Sequence, residues 1–180
     1  MDIFRRRLAA RRDYFQLFLV TLFPIHVWSI VIFFKRMPEL TLRMTLPDIM
    51  GVAAYVQTFA LLESLLAFAV LFVISLLLPA RFVSGRLVPM GTVLILLTTI
   101  AAVLVHLYGV LKIDGIEFGP WVASWSMGAV VLSGWSARWI DRNETLSRTV
   151  TSVAERLAVL SMLYLVVDVC GALLIVFRNL

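Results

Sequence analysis

The sequence predicts an all-α, polytopic membrane bundle of about five transmembrane helices, and three observations carry that expectation. Hydrophobic residues make up 62% of the 180-residue chain and charged residues 15%, with a mean hydropathy of +0.99, which leaves too little polar surface to cover a water-soluble globule. The apolar residues fall into runs of about twenty or more, the length an α-helix needs to cross a hydrocarbon core ~30 Å thick. The basic residues gather at the ends of those runs, where topology signals and headgroup contacts sit. No basic face remains for nucleic acid. The expected partners are membrane lipids, anionic on the cytoplasmic side, and other membrane subunits.

The first crossing is expected at 14–34, a run free of Asp, Glu, Lys and Arg that Lys35 and Arg36 close. It is longer than a signal-peptide core and no small-x-small cleavage pattern follows, so it reads as a retained anchor. Pro24 removes one backbone hydrogen bond and should kink this helix just before His26. The second crossing, 51–78, has Pro47 and Asp48 as a good first turn and Pro79 as a stop. At about 40 Å it must tilt or protrude.

A basic turn over 79–86 leads to the third crossing, 87–111. Asp114-Gly115 and Gly119-Pro120 mark a tight loop before the fourth, 120–140. A polar segment follows, in which Glu144 and Arg148 are spaced to pair on one helical face, and the fifth crossing takes 157–177. No repeat, linker or soluble domain interrupts this series, so residues 1–180 read as a single transmembrane domain.

Orientation follows from the basic residues beside each crossing. Eleven of the sixteen (Arg5, Arg6, Arg7, Arg11, Arg12, Arg81, Arg86, Arg138, Arg142, Arg148 and Arg156) fall on the side from which odd-numbered crossings start. The other side holds Lys35, Arg36, Arg43, Lys112 and Arg178. The amino terminus is therefore expected in the cytoplasm and the carboxyl terminus outside. Trp121 and Trp139, bracketing the fourth crossing, fit an interfacial aromatic belt. Arg5, Arg6, Arg7, Arg11 and Arg12, set against Ile3, Phe4 and Leu8, form a basic amphipathic entry suited to anionic headgroups.

Four titratable groups lie inside apolar runs: His26, Glu63, His106 and Asp168. Such groups are costly in the hydrocarbon and normally face the bundle interior, where they find partners. Asp168 shares a face with Ser161, Tyr164, Gly171 and Ala172, and His106 shares one with Thr99, Ala102 and Gly109. Glu63 lies beside the small stripe Ala53, Gln57, Ala60, Ser64 and Ala67, and small stripes let helices approach closely. Counted along their helices, His106, His26, Asp168 and Glu63 lie roughly 9, 12, 14 and 18 Å from the outer ends, so they can meet as an intramembrane polar network with His106 paired to Asp168. Matched depth also lets His26 and His106 be considered as axial ligands to a haem.

Reaction motifs are missing. The sequence contains no HExxH, no Walker A loop and no paired-carboxylate metal motif, and the lone Cys170 permits neither an internal disulfide nor a multi-cysteine metal site. The sequence therefore reads as a non-catalytic accessory or assembly component of a membrane complex, with no catalytic or metal-binding residues assigned. The alternative is a small proton- or cation-coupled transporter or channel subunit using Glu63 and Asp168, and the third reading is a membrane-embedded lipid or glycolipid enzyme.

Overall fold

The computed structural model of the chain describes residues 11–77, 87–111 and 142–179, with Met127, Gly128, Val131, Leu132, Trp135, Ser136 and Trp139 between the last two stretches. Four long helices account for most of them: α1 (Arg11–Arg43), α2 (Leu46–Leu77), α3 (Leu87–Leu111) and α4 (Glu144–Asn179). Each holds a window long and apolar enough to cross a membrane. The chain is thus an all-helical, multi-pass integral membrane protein. The crossing expected at 120–140 and the basic turn at 79–86 lie largely outside the described residues.

Helix ends depart from the sequence expectation in one direction: the helices outrun the apolar runs. α1 continues nine residues past Phe34, through Lys35, Arg36 and Pro38. Charge ends a hydrocarbon crossing without ending a helix, because the backbone hydrogen bonds are indifferent to the side chain's charge. Lys35 stays on the helix and lays its ammonium 6.0 Å from the centroid of the Trp28 ring, within cation–π reach. α1 is likewise helical through Pro24. α4 begins thirteen residues before Leu157, where the Asn143 side-chain oxygen accepts from the Thr145 and Leu146 amides at 3.1 and 3.3 Å and caps the first turn. The Glu144–Arg148 pair forms on that turn at 3.5 Å but stays exposed, so it adds little.

Two compact units emerge, Met1–Leu17 with Leu78–Ala154, and Phe18–Leu77 with Glu155–Leu180. In the first, Leu87, Val88 and Ile95 of α3 are buried. Leu17, 1% exposed, fills the space that a side chain at Gly91 would need. Thr92 is fully buried, with its hydroxyl spent on the Val88 carbonyl at 2.7 Å.

The second unit packs α1, α2 and α4. Leu19, Leu22 and Ala158 form a buried cluster against which Phe18, Leu61 and Leu165 pack, and Phe18 meets Phe68 edge to face at 5.5 Å. α4 packs along a narrow stripe: Ala158, Ser161, Asp168 and Gly171 are buried while Val159, Met162, Leu163 and Val166 are exposed. Small residues on the packed stripe and large ones outside it reverse the order of a soluble helix, as expected where lipid solvates the large side chains. Buried Ser64 and Ser161 donate to their own i−4 carbonyls at 2.7 and 2.8 Å, which satisfies them without an interhelical partner.

Candidate functional site

The polar centre of the second unit is built on α1 and α4. In α4 the i, i+7, i+10 series Ser161, Asp168, Gly171 forms the packed stripe, which carries the Asp168 carboxylate inward. In α1 the buried series Leu19, Leu22, His26 does the same for the imidazole. Gly171 lies close enough to α2 that a Cβ there would stand 3.4 Å from the Ala54 carbonyl oxygen. That approach brings α4 close to α2 one turn from Asp168.

His26 and Asp168 meet with both side chains at 0% exposure. His26 Nε2 is 3.0 Å from each carboxylate oxygen, and Nδ1 is 2.9 Å from the Leu22 carbonyl oxygen. The Tyr164 ring stacks on the imidazole at 5.3 Å, with an interplanar angle of 19°, and Phe23 packs tilted on Tyr164 at 6.1 Å. The proton count follows from these partners. A carbonyl oxygen only accepts, so Nδ1 carries a hydrogen. A second hydrogen must lie between Nε2 and the carboxylate, because otherwise a nitrogen lone pair would face a carboxylate. Whichever atom holds that proton, the pair is neutral as a whole, and a neutral pair avoids most of the cost of a charge in hydrocarbon.

Depth registration adds a third group. Ala54 packs on Gly171, one turn beyond Asp168, and Leu61 joins the layer of Leu165, one turn before it. Gln57 therefore sits at the height of the His26–Asp168 pair, and its buried Oε1 has no hydrogen-bond partner among the described residues. Where the start of α2 meets the end of α4, Arg178 donates to Asp48 at 2.8 Å and to the Pro47 carbonyl at 3.4 Å. Its guanidinium lies over Gly51, so a side chain there would displace the Arg178 head group. Thr45 donates to the same Asp48 carboxylate at 2.6 Å.

These placements sort the sequence candidates. His26 and Asp168 come together. The pairing of Asp168 with His106 is corrected: the carboxylate is taken by His26, because α1 and α4 lie side by side in one unit, whereas His106 is an exposed residue of α3 in the other. Glu63 is exposed on α2. The helix turns about 100° per residue, so with Ala60 and Ser64 packed inward Glu63 is carried off that stripe. Arg11 and Arg12 are exposed at the start of α1, while Arg5, Arg6 and Arg7 lie outside the described residues. Of the two histidines considered for a haem, His26 has both ring nitrogens against protein oxygens, 2.9 Å from the Leu22 carbonyl and 3.0 Å from the Asp168 carboxylate, and His106 is exposed on α3. Among the described residues no three His, Cys, Asp or Glu side chains gather in a way that could hold a metal ion.

Sequence reasoning gives Gln57 only as a member of the small stripe and Arg178 only as an orientation charge, and it assigns Gly51 no role. A signal was present for Arg178, because consecutive-crossing topology brings the end of the last helix to the same side as the start of α2, where Asp48 lies. Compared with protein-family models, curated proteins and solved structures, the chain gives no match.

Proposed function

We propose that this protein is a non-catalytic component of a larger membrane assembly, acting through helix contacts within the bilayer. The observation that supports this reading is the exposure of Glu63 at the middle of α2. The buried polar groups of the same unit work against a catalytic or conducting role: His26 and Asp168 neutralise each other and are fully covered. Ser64 and Ser161 are spent within their helices. A carboxylate in contact with lipid is costly, and an assembly partner removes that cost.

The experiment is solubilisation of native membranes in a mild detergent followed by native electrophoresis. The chain is expected to migrate well above its 20.3 kDa monomer and to fall towards it when Glu63 is replaced by Leu. A monomer that carries pH-dependent cation flux in liposomes, abolished by Glu63→Gln, would replace this reading with the transporter.

The proposed orientation keeps the amino terminus in the cytoplasm. It rests on the eleven-to-five asymmetry of basic residues, of which Arg11 and Arg12 stand exposed at the start of α1. Each arginine near an anionic surface contributes about 1 kcal/mol. Replacing Arg5, Arg6, Arg7, Arg11 and Arg12 with Gln is expected to invert or scramble the first crossing, read by reporter fusions at Asp114 and Leu180, both outside in the unaltered protein. Unchanged reporters would remove the cluster as the main topogenic signal.

A further inference from the structure

We infer that the exposed face of α2 centred on Glu63 docks a transmembrane helix of another protein that carries a Lys or Arg at mid-bilayer depth. The inference rests on the assembly reading above and names the chemistry of its partner.

Glu63 has seventeen helical residues before it and fourteen after it in α2. At 1.5 Å per residue it stands about 21 Å or more from either helix end. A glutamate side chain reaches a small fraction of that distance, so the carboxylate cannot snorkel to a headgroup as a long basic side chain near a helix end does. Among the described residues it has neither a hydrogen bond nor an ion pair, and it is exposed. Asp168, the other carboxylate at membrane depth, is fully buried and paired. The contrast isolates Glu63 as the acidic group that the second unit leaves uncompensated.

Its surroundings have the spacing of a helix-packing seam. Phe59, Glu63, Leu66, Val70, Val73 and Leu77 follow one another at alternating intervals of four and three residues, and the five apolar members are 53 to 80% exposed. A seam of that period presents one face to a partner crossing at a shallow left-handed angle, the common geometry of membrane bundles. Apolar knobs above and below place the partner helix, and the carboxylate between them selects what it must carry. A cation opposite Glu63 neutralises it and donates hydrogen bonds to it in a medium where neither finds water. A second copy docked on the same seam would bring two like carboxylates to one depth, which is unfavourable unless one is protonated.

The test uses the full-length chain, fused at its carboxyl terminus to a fluorescent donor, in phosphatidylcholine vesicles. The probes are acceptor-labelled polyleucine transmembrane peptides with a single Lys, a single Glu or only Leu at the midpoint. The Lys peptide is expected to associate about 5- to 30-fold more tightly than the Leu peptide, the range that interhelical polar contacts give in peptide systems, and the Glu peptide no better than Leu. Glu63→Gln should reduce the Lys preference and Glu63→Leu abolish it, with thermal stability unchanged because the side chain is exposed.

Equal binding of the Lys and Leu peptides would overturn the inference. Energy transfer between two copies of the chain, lost in Glu63→Leu, would overturn it in favour of a self-docked seam. A photocrosslinker at Phe59 or Leu66 that reacts with residues 112–141 of its own chain would overturn it by showing the seam already covered. A negative peptide result with a large native assembly removes only the basic partner and leaves the assembly reading standing.

Discussion

Replacing Asp168 with Leu is expected to destabilise the protein by about 1–3 kcal/mol in mixed-micelle unfolding, the cost of leaving a buried polar group without its partner. The group left behind is His26 Nε2. Nδ1 keeps its hydrogen on the Leu22 carbonyl, so Nε2 becomes a buried lone pair against a leucine. Asp168→Asn should behave differently. Its amide can donate to Nε2 while Nδ1 continues to serve Leu22, so the bonding is preserved with its polarity fixed, and stability should change by less than about 1 kcal/mol. Combining His26→Leu with Asp168→Leu should cost less than the sum of the single replacements, because each single variant strands the other partner. Retention of full stability by Asp168→Leu would mean that the pair does not hold α1 to α4.

The pair also shows where the sequence was readable. The i, i+3, i+4 and i+7 spacing of Ser161, Tyr164 and Gly171 around Asp168 places these residues on one face, and α4 packs along that face because small residues there allow close approach. Spacing cannot say which helix arrives. His26 and His106 both lie in apolar runs at comparable depth, and the choice between them is made by the packing of the helices, with α1 and α4 ascending side by side from the Leu22–Ala158 cluster to the His26–Asp168 contact. Glu63 illustrates the complementary difficulty. Beside a small stripe it could lean to either side, and about 100° of helical rotation decides between the interior and lipid. Hydropathy picks out the apolar windows that lie on α1, α2, α3 and α4, because every backbone group in hydrocarbon must be bonded within its own helix. It located the helix ends poorly, since α1 beyond Phe34 and α4 before Leu157 stay helical with polar side chains that no hydropathy threshold includes.

The second large effect is expected at Gly171. Its helical backbone lies so near α2 that an added Cβ would stand 3.4 Å from the Ala54 carbonyl oxygen, 3.5 Å from Ala54 Cα and 3.8 Å from Ala54 Cβ. Two of these neighbours are backbone atoms, which have no rotamer by which to retreat. A single Cβ at these distances is in ordinary van der Waals contact, so Gly171→Ala should fit without moving either helix, and the better helix propensity of Ala favours it. Gly171→Leu cannot be accommodated that way. The side chain must either force α2 and α4 apart or twist α4 about its axis, and overpacking of this kind costs about 1–3 kcal/mol. Asp168 lies one turn away on the same face, so either motion also draws the carboxylate from His26 Nε2, and the loss should exceed the packing term alone. Coupling is the measurable sign: in a Gly171→Leu background, Asp168→Leu should cost less than it does in the unaltered chain, because the contact it removes is already weakened. Unfolding of the four proteins of that cycle in mixed micelles reads the coupling directly. Additive losses would show that the Gly171–Ala54 approach and the His26–Asp168 contact are independent, and that the small-residue stripe does not set the depth of the polar pair.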